Sequence, residues 1–410
     1  MPPGNALRLK DVPPSSFDRL AQLLKGVTPH FTVRNAPVPM TVGEPQDAPP
    51  AFTGEILARH TREFGRYPPI AATEKFRAVC AGWLARRFGV PANAIDPETQ
   101  ILPLNGTREG LFHTLFPLMP EAKAGERPVV LLPNPFYGVY PPAAIAAGAE
   151  SYYVAARRET GFLPDYASVP ERILKRAIAA FHCSPSNPES AVAGAEDWRR
   201  LFELADRYDF FVLADECYAD IYETVAPTGA LGVRHAMRGD CERLIGFHSL
   251  SKRSNLPGLR SGFMVGPPAV MKTLRAFRNL AAPQVPLPVI EVSIAAWSDE
   301  IHVEENRALY AKRFALAEKI LGHYRGYRRP QGGFYLWLEV GDGAAFARAL
   351  WQRTGIRVMP GAFMGVEEIP GNPASNPGAA YVRIALVHDL VTIEAALERM
   401  AEFLAGWDGH

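Results

Sequence analysis

Short apolar runs that stop abruptly at polar, glycine or proline residues recur through the first two-thirds of the chain. PVVLLPNP around 128–135, AIAAFHCSPSNP from about 178, FFVLADECY from 210 and RLIGFHSLSK from 243 share this form. Runs of this length, apolar at consecutive positions, predict strands buried on both faces with functional loops at their ends. Between them lie helical patterns, one from Thr107 to Met119 and one from Glu196 to Tyr208. Such alternation predicts an α/β fold whose main sheet is largely parallel and flanked by helices.

The texture changes after about residue 290. The long amphipathic stretch IHVEENRALYAKRFALAEKIL is followed by the strand-like FYLWLEV and YVRIALV, which predicts a smaller α+β domain. In the last helix, TIEAALERMAEFL, residues Ile393, Ala396, Leu397, Met400 and Phe403 form one stripe of the kind that packs on a core. The expected organisation is a segment 1–45 joining the small domain, a large domain 46–290 and a small domain 291–410. DAPP and EIPGNPASNPG are loops, and no internal repeat or low-complexity tract occurs.

The chain has 410 residues, too many for one ordinary domain. Its 44 Lys and Arg balance 43 Asp and Glu, which argues against nucleic acid or anionic membrane as a partner and leaves room for a small charged substrate. The opening MPPGNALRLKDVPPSS lacks the apolar core of a signal peptide, and no apolar run reaches the roughly 18 residues that a membrane span needs. A cytoplasmic protein is expected. Cys80, Cys183, Cys217 and Cys241 show no metal-ligand spacing, so they are expected to be plain buried or bystander thiols with no metal site.

Candidate chemistry centres on SLSKRSNLPGLRSGFMVG, where Lys252 follows Ser249 and Ser251 and precedes Arg260. A partly desolvated lysine has a lowered pKa, and its neutral amine can attack an aldehyde. Hydroxyls and an arginine beside it are donors suited to phosphate. On these residues alone, a solvated loop is the simpler reading. Asp215, at the end of the apolar run VLAD, needs a partner if buried or else caps the next helix. Arg383, within YVRIALV, needs an anion that a structural ion pair could equally supply.

The order S-x-S-K-x-x-x-x-x-G-x-R resembles the cofactor-lysine motif of the class I/II, or fold-type I, aminotransferases. Further motifs follow in the family's order, over about residues 40–405. The resemblance implies pyridoxal 5'-phosphate carried by Lys252 as a Schiff base, with Ser249, Ser251 and Arg260 toward its phosphate. LPLNGTREGLF resembles the glycine turn entering a helix, which places Gly106, Thr107 and Arg108 at the same phosphate. VLADECY assigns Asp215 to the pyridine nitrogen and Tyr218 to the phenolic oxygen. CSPSNPES assigns Asn187 to that oxygen and to the substrate carboxylate, although the common NPTG reads Asn187-Pro188-Glu189-Ser190 here. PNPFYGVY implies that Tyr137 stacks on the ring, YVRIALV that Arg383 grips the substrate's α-carboxylate, and TVGEP that the Gly43 backbone lies beside the substrate. FGRYPPIAATEKFRAVCAGWL resembles the stretch whose tyrosine, here Tyr67, reaches the neighbouring subunit's phosphate, with Ala72 and Phe76 replacing the usual Gly and Leu. A homodimer with a shared active site is implied.

NGTREGLF, PNPFYGVY, FHSLSKRSNLPGLRSGF, GGFYLW and GAAYVRIALV together resemble the succinyldiaminopimelate aminotransferases. That implies amino exchange between N-succinyl-LL-2,6-diaminopimelate and 2-oxoglutarate, giving N-succinyl-2-amino-6-oxopimelate and glutamate in lysine biosynthesis. Arg253, Arg34 and Arg66 are then candidates for the distal carboxylates. The same scaffold would equally serve an aspartate, alanine or aromatic aminotransferase or a carbon–sulfur lyase. A non-enzymatic regulator would need a DNA-binding helix-turn-helix, for which the first 40 residues are too short and too broken by proline.

Overall fold

A computed structural model describes residues 12–30, 36–281 and 283–408. Its main sheet has seven strands: β1 (Ile101–Leu104), β2 (Val129–Asn134), β3 (Glu150–Ala155), β4 (Ala177–Cys183), β5 (Phe211–Asp215), β6 (Leu244–Ser249) and β7 (Gly262–Val265). They lie in the order β1-β7-β6-β5-β4-β2-β3. From β3 to β6 every pairing is parallel, and only β7 runs antiparallel to its neighbours β6 and β1.

The apolar runs are continuous because both faces of the sheet are covered. Along β2, Val129 and Leu131 enter the core that holds Phe76, Trp83, Trp198 and Trp297. Val130 and Leu132 point the other way, into the core around Leu111, Tyr140 and Phe181. The two-residue period of a strand thus feeds two hydrophobic layers at once. The Ala195–Tyr208 helix matches the expected pattern and ends where Asp209 turns left-handed. The expected helix 107–119 does not run its full length: it stops at His113, and a 3₁₀ turn follows at Phe116–Leu118. Pro117 has no N–H to continue the ladder, and Thr114 Oγ1 bonds back to the Gly110 carbonyl at 2.7 Å.

A smaller body holds β8 (Tyr335–Glu339), β9 (Met359–Pro360) and β10 (Tyr381–Ala385), an antiparallel sheet ordered β9-β10-β8. Helices Ile301–Leu321, Gly343–Thr354 and Leu390–Ala405 accompany it. In the last helix Ile393, Ala396, Leu397 and Met400 are buried; Phe403 is only half-buried, stacked on Trp407, while Leu404 completes the stripe. From the N-terminal segment, Val38–Pro39 pairs in parallel with Ile356–Arg357, and the Ser16–Leu23 helix buries Leu20 against Met359 and Met364. A division after residue 290 would cut the Leu287–Ser298 helix, whose Ile290, Val292, Ile294 and Trp297 sit in the large body's core. That helix is apolar nearly all round because it is buried. Among the described residues, no helix is long and apolar enough to cross a membrane.

Candidate functional site

The loops leaving β4, β5 and β6 open at the carboxyl edge of the parallel sheet, the place where α/β sheets present ligand sites. They meet the small body around a cavity of about 580 Å³. Lys252, Asp215, Asn187, Tyr218, Arg260 and Arg383 all line it, so residues far apart in the chain converge on one space.

Lys252 sits in a single helical turn, Leu250–Arg253, directly after β6. Ser249 caps that turn by accepting from the Ser251 N–H at 3.1 Å, and Asn306 Nδ2 donates to the carbonyls of Lys252 and Arg253 at 3.1 and 3.2 Å. The turn is therefore held from both sides. Lys252 Nζ donates to the Gly43 carbonyl and lies 5.5 Å from the centre of the Phe334 ring. Burial pushes its pKa down to about 8, opposed by the charges of Cys217 and Glu44. A sizeable share of the amine is then neutral near physiological pH.

Asp215, the last residue of β5, is buried and forms no ion pair among the described residues. It accepts from Tyr140 Oη at 2.7 Å and from the Cys217 N–H at 3.4 Å. Burial raises its pKa, and the bonds from Cys217 and Tyr140 act against that shift. Such a carboxylate suits a cationic partner that the protein itself does not supply. Tyr218 Oη meets Tyr335 Oη at 3.2 Å, and Tyr137 stands edge-on to Tyr140 with ring centres 5.7 Å apart.

At the opposite end lies a pole rich in donors. Gly106, with φ of 80°, precedes the helix Thr107–His113, whose first amides have no helical carbonyl before them. A Cβ at Gly106 would overlap the Arg260 guanidinium, so only glycine lets the two approach. Arg260 donates to the carbonyls of Pro257 and Asn105 at 2.9 and 3.0 Å, and Ser249, Ser251, Thr107 and Arg108 border the same wall. Thr107 Oγ1 is 2.9 Å from Cys217 Sγ. Cys183 and Cys217 thus line the cavity, although the sequence marked the cysteines as bystanders.

Between the poles, Arg383 crosses from β10. Nη1 donates to Asn187 Oδ1 at 2.7 Å and Nη2 to the Thr41 carbonyl at 2.6 Å, with the guanidinium 4.3 Å over the Tyr335 ring. Among the described residues no carboxylate forms an ion pair with it, although Glu189 acts on it electrostatically, and Asn187 and Tyr335 hold the guanidinium at the cavity wall. The departure from NPTG is accommodated: Ser190 takes a left-handed φ of 55°, and its Oγ accepts from the Tyr335 N–H at 3.3 Å. Gly43 is required for contact, since a Cβ there would collide with Tyr335 Oη.

Some expected residues stand elsewhere. Tyr67 is 95% exposed and does not line its own chain's cavity. Ala72 holds a left-handed φ of 56°, the conformation for which the usual glycine would be the natural residue. Arg253 does not face a substrate: it is buried between Asp220 and Glu300 at 2.9 and 2.6 Å and donates to the Ala296 carbonyl. Its position directly after Lys252 turns it into the helical layer. Arg66 is exposed and away from the cavity, and Arg34 lies outside the described residues. Sequence reasoning missed Tyr140, Tyr335 and Arg19. Tyr140 lies three residues after Tyr137, and the partner demanded by a buried Asp215 was the one signal that could have found it.

An uncompensated buried carboxylate, a desolvated lysine and a separate pole of amides, hydroxyls and arginine fit pyridoxal phosphate, with its cationic ring nitrogen, aldehyde and phosphate. The sequence matches the family described as Aminotransferase class I and II over residues 36–400, and the chain belongs to that family. It is a pyridoxal-phosphate-dependent aminotransferase. Among relatives, it is 33% identical over 377 residues to the LL-diaminopimelate aminotransferase of Nitratidesulfovibrio vulgaris (strain Hildenborough), covering 89% of this chain and 91% of that protein. It is 28% identical over 404 residues to that of Dehalococcoides mccartyi (strain 195), covering 97% and 98%. An aminotransferase structure from Neisseria meningitidis superposes with a TM-score of 0.90 at 37% identity, covering 97% of this chain and 99% of that one. A probable N-succinyldiaminopimelate aminotransferase from Thermus thermophilus gives 0.82 at 25%, covering 95% and 100%.

Proposed function

We propose that the enzyme moves an amino group between 2-oxoglutarate/glutamate and a diaminopimelate-type substrate, with N-succinyl-LL-2,6-diaminopimelate as the donor, in the diaminopimelate route to lysine. The observation that carries this reading is the charge of the cavity wall. Arg19, Arg108, Arg260, Arg383 and Lys252 line it against one carboxylate, Asp215, which lies at its floor. Even after a cofactor phosphate is neutralised, cationic groups remain for a substrate with more than one carboxylate. A distal ammonium, which free diaminopimelate carries and the succinylated form does not, finds no second carboxylate among the described residues of this wall. The names of the relatives nevertheless favour free LL-diaminopimelate as a second reading.

When bound, the cofactor supplies an electron sink for the carbon that bears the substrate amine. In this reading Lys252 holds the cofactor's aldehyde carbon. Once freed, its neutral amine would take the proton from the amine-bearing carbon of the donor and deliver it to the carbon that the lysine had held. Asp215 keeps the ring nitrogen protonated, and Tyr218 and Asn187 donate to the phenolic oxygen. Tyr137 covers the ring, while Gly106, Thr107, Arg108, Ser249, Ser251 and Arg260 hold the phosphate. Arg383 grips the α-carboxylate beside the Gly43 backbone. The exposed Tyr67 belongs to the phosphate site of a second copy, so the enzyme acts as a homodimer.

A panel of N-succinyl-LL-diaminopimelate, LL-diaminopimelate, aspartate, alanine and phenylalanine with 2-oxoglutarate, read as glutamate formed, tests the donor. The succinylated compound is expected to give the highest kcat/KM. Fast turnover of aspartate with none of the succinylated donor would reject the reading.

A further inference from the structure

The geometry points to Arg19 as the residue that binds the distal carboxylate of the amino donor, in a subsite formed by the N-terminal helix. This rests on the proposed reading only in taking the donor to be a long dicarboxylate. The Ser16–Leu23 helix and the residues before it, from Pro13 onward, form one wall of the cavity that Lys252 occupies. Among the described residues, Arg19 is the single cation that this wall contributes. The other arginines are committed by position or by bonding. Arg260 is tied to Pro257 and Asn105, Arg383 to Asn187 and Thr41, and Arg108 stands in the first turn at the phosphate pole.

Arg19 is half-buried and held in orientation without being neutralised. Nη1 donates to the Ala362 carbonyl at 3.1 Å, and the guanidinium lies 4.5 Å over the Phe363 ring. Among the described residues, no carboxylate forms an ion pair with it. Glu367, which acts on it electrostatically, accepts from the Gly371 N–H at 2.8 Å, and Asp18 accepts from Ser15 Oγ at 2.7 Å. Among the described residues Nε and Nη2 therefore keep free donors, and Phe363, Met364 and Gly365 line the same cavity as Arg19. A stacked, half-desolvated guanidinium with an unsatisfied edge is the donor geometry that a carboxylate matches. The backbone reinforces this: Leu20 anchors the helix on Met359 and Met364, so Arg19 is held against the small body that also carries Arg383.

The test compares two amino donors of equal chain length, 2-aminopimelate and 2-aminoheptanoate, which differ only in the distal carboxylate. In the wild-type holoenzyme the dicarboxylate is expected to be preferred. Arg19→Gln should lower the ratio of their kcat/KM values about ten- to a hundredfold, chiefly through KM for 2-aminopimelate, about the loss of one charge-assisted hydrogen bond. Arg19→Lys should restore part of it. Leu20→Ala loosens the helix without removing the charge and should weaken both donors alike. If Arg19→Gln also weakens both donors alike, or leaves the ratio unchanged, Arg19 only supports the helix and the inference falls. If the ratio collapses as expected while the wild-type enzyme ignores the succinylated donor, Arg19 keeps its role and only the choice of donor is lost.

Discussion

Replacing Tyr140 by Phe removes one oxygen atom and should damage catalysis out of proportion to its size. Asp215 accepts from the Tyr140 hydroxyl at 2.7 Å and from the Cys217 amide at 3.4 Å, and the Cys217 thiol also donates to it. The first is short and the bond from the amide is at the limit of a hydrogen bond, so the variant leaves the buried carboxylate to the amide and thiol of Cys217 alone. The ring remains in place, because Tyr140 stacks on Phe181 with centres 4.5 Å apart and planes 16° from parallel. A hydrogen bond to a charged group contributes about 1.5–3 kcal/mol, and unfolding of the cofactor-free variant at pH 7 should show a loss of that order. If the same energy is felt where Asp215 supports the ring nitrogen, kcat falls about ten- to a hundredfold.

The sign of the pH effect separates this role from simple packing. Burial already raises the Asp215 pKa, and Tyr140 opposes the rise by stabilising the anion. Its removal raises the pKa further. On the proposed reading the working form is the carboxylate, so activity should be lost as pH falls through that pKa, and the acid limb of kcat should move to higher pH in the variant. A raised carboxyl pKa also favours the folded state more at low pH than at high pH, so the stability deficit should shrink toward about pH 4, near the carboxyl's ordinary value. A variant with kcat within about twofold of wild type, an unmoved acid limb and equal stability at pH 7 would falsify the assigned role.

Lys252→Ala should abolish both the visible absorbance of the bound cofactor and its trapping by borohydride; retention of both would show that another residue holds it. Gly106→Ala drives a methyl into the Arg260 guanidinium at a φ of 80°, so cofactor affinity by equilibrium dialysis should fall at least about tenfold, and unchanged affinity would remove this turn from the phosphate site. His248 lies among the rings of Trp83, Phe88 and Phe263, near Glu216 and Arg87, and burial pushes its pKa down to about 3. A depressed histidine pKa means that stability is present above about 6.5 and lost as pH falls toward 3, so His248→Phe should flatten that part of the urea-midpoint profile. A profile identical to wild type would place the acid sensitivity elsewhere, with buried His182, pushed down to about 4, as the next group to change.

Four strands of the main sheet, β2, β4, β5 and β6, and the residues at their ends were readable in the sequence for one reason, whereas β1, β3 and β7 were not picked out. Strands buried on both faces are largely apolar runs, and the polar residue that closes the run, such as Asp215 at the end of β5 or Ser249 at the end of β6, stands at the carboxyl edge where ligands bind. Partners across the fold were not readable in this way. Tyr140 and Asp215 are 75 positions apart, Arg383 and Asn187 are 196 apart, and Arg383 and Thr41 are 342 apart. No local period records such pairings. Arg253 misled because its place in the motif and its place in space differ: one step along a helical turn separates the cavity from the ion pair with Asp220. The helix Ser16–Leu23 escaped notice for a further reason, since its apolar stripe is only as long as the small patch it covers.

The division of labour between the two bodies follows from this geometry. Every group suited to the cofactor's ring nitrogen and phosphate, from Gly106 to Arg260, comes from the large sheet and its loops. The groups that the proposed reading leaves for the substrate, namely the Gly43 backbone, Arg383 and Arg19, come from the N-terminal segment and the small body. These reach the cavity through the pairing of Val38–Pro39 with Ile356–Arg357 and through Leu20 on Met359. Lys252 lies at the junction, its turn fixed by β6 and its amine bonded to Gly43. A substrate that engages Arg383 and Arg19 together therefore bears on the same body that touches the lysine. Substitutions in the small body should alter which amine is accepted while leaving cofactor retention intact, and substitutions at the phosphate pole should do the reverse.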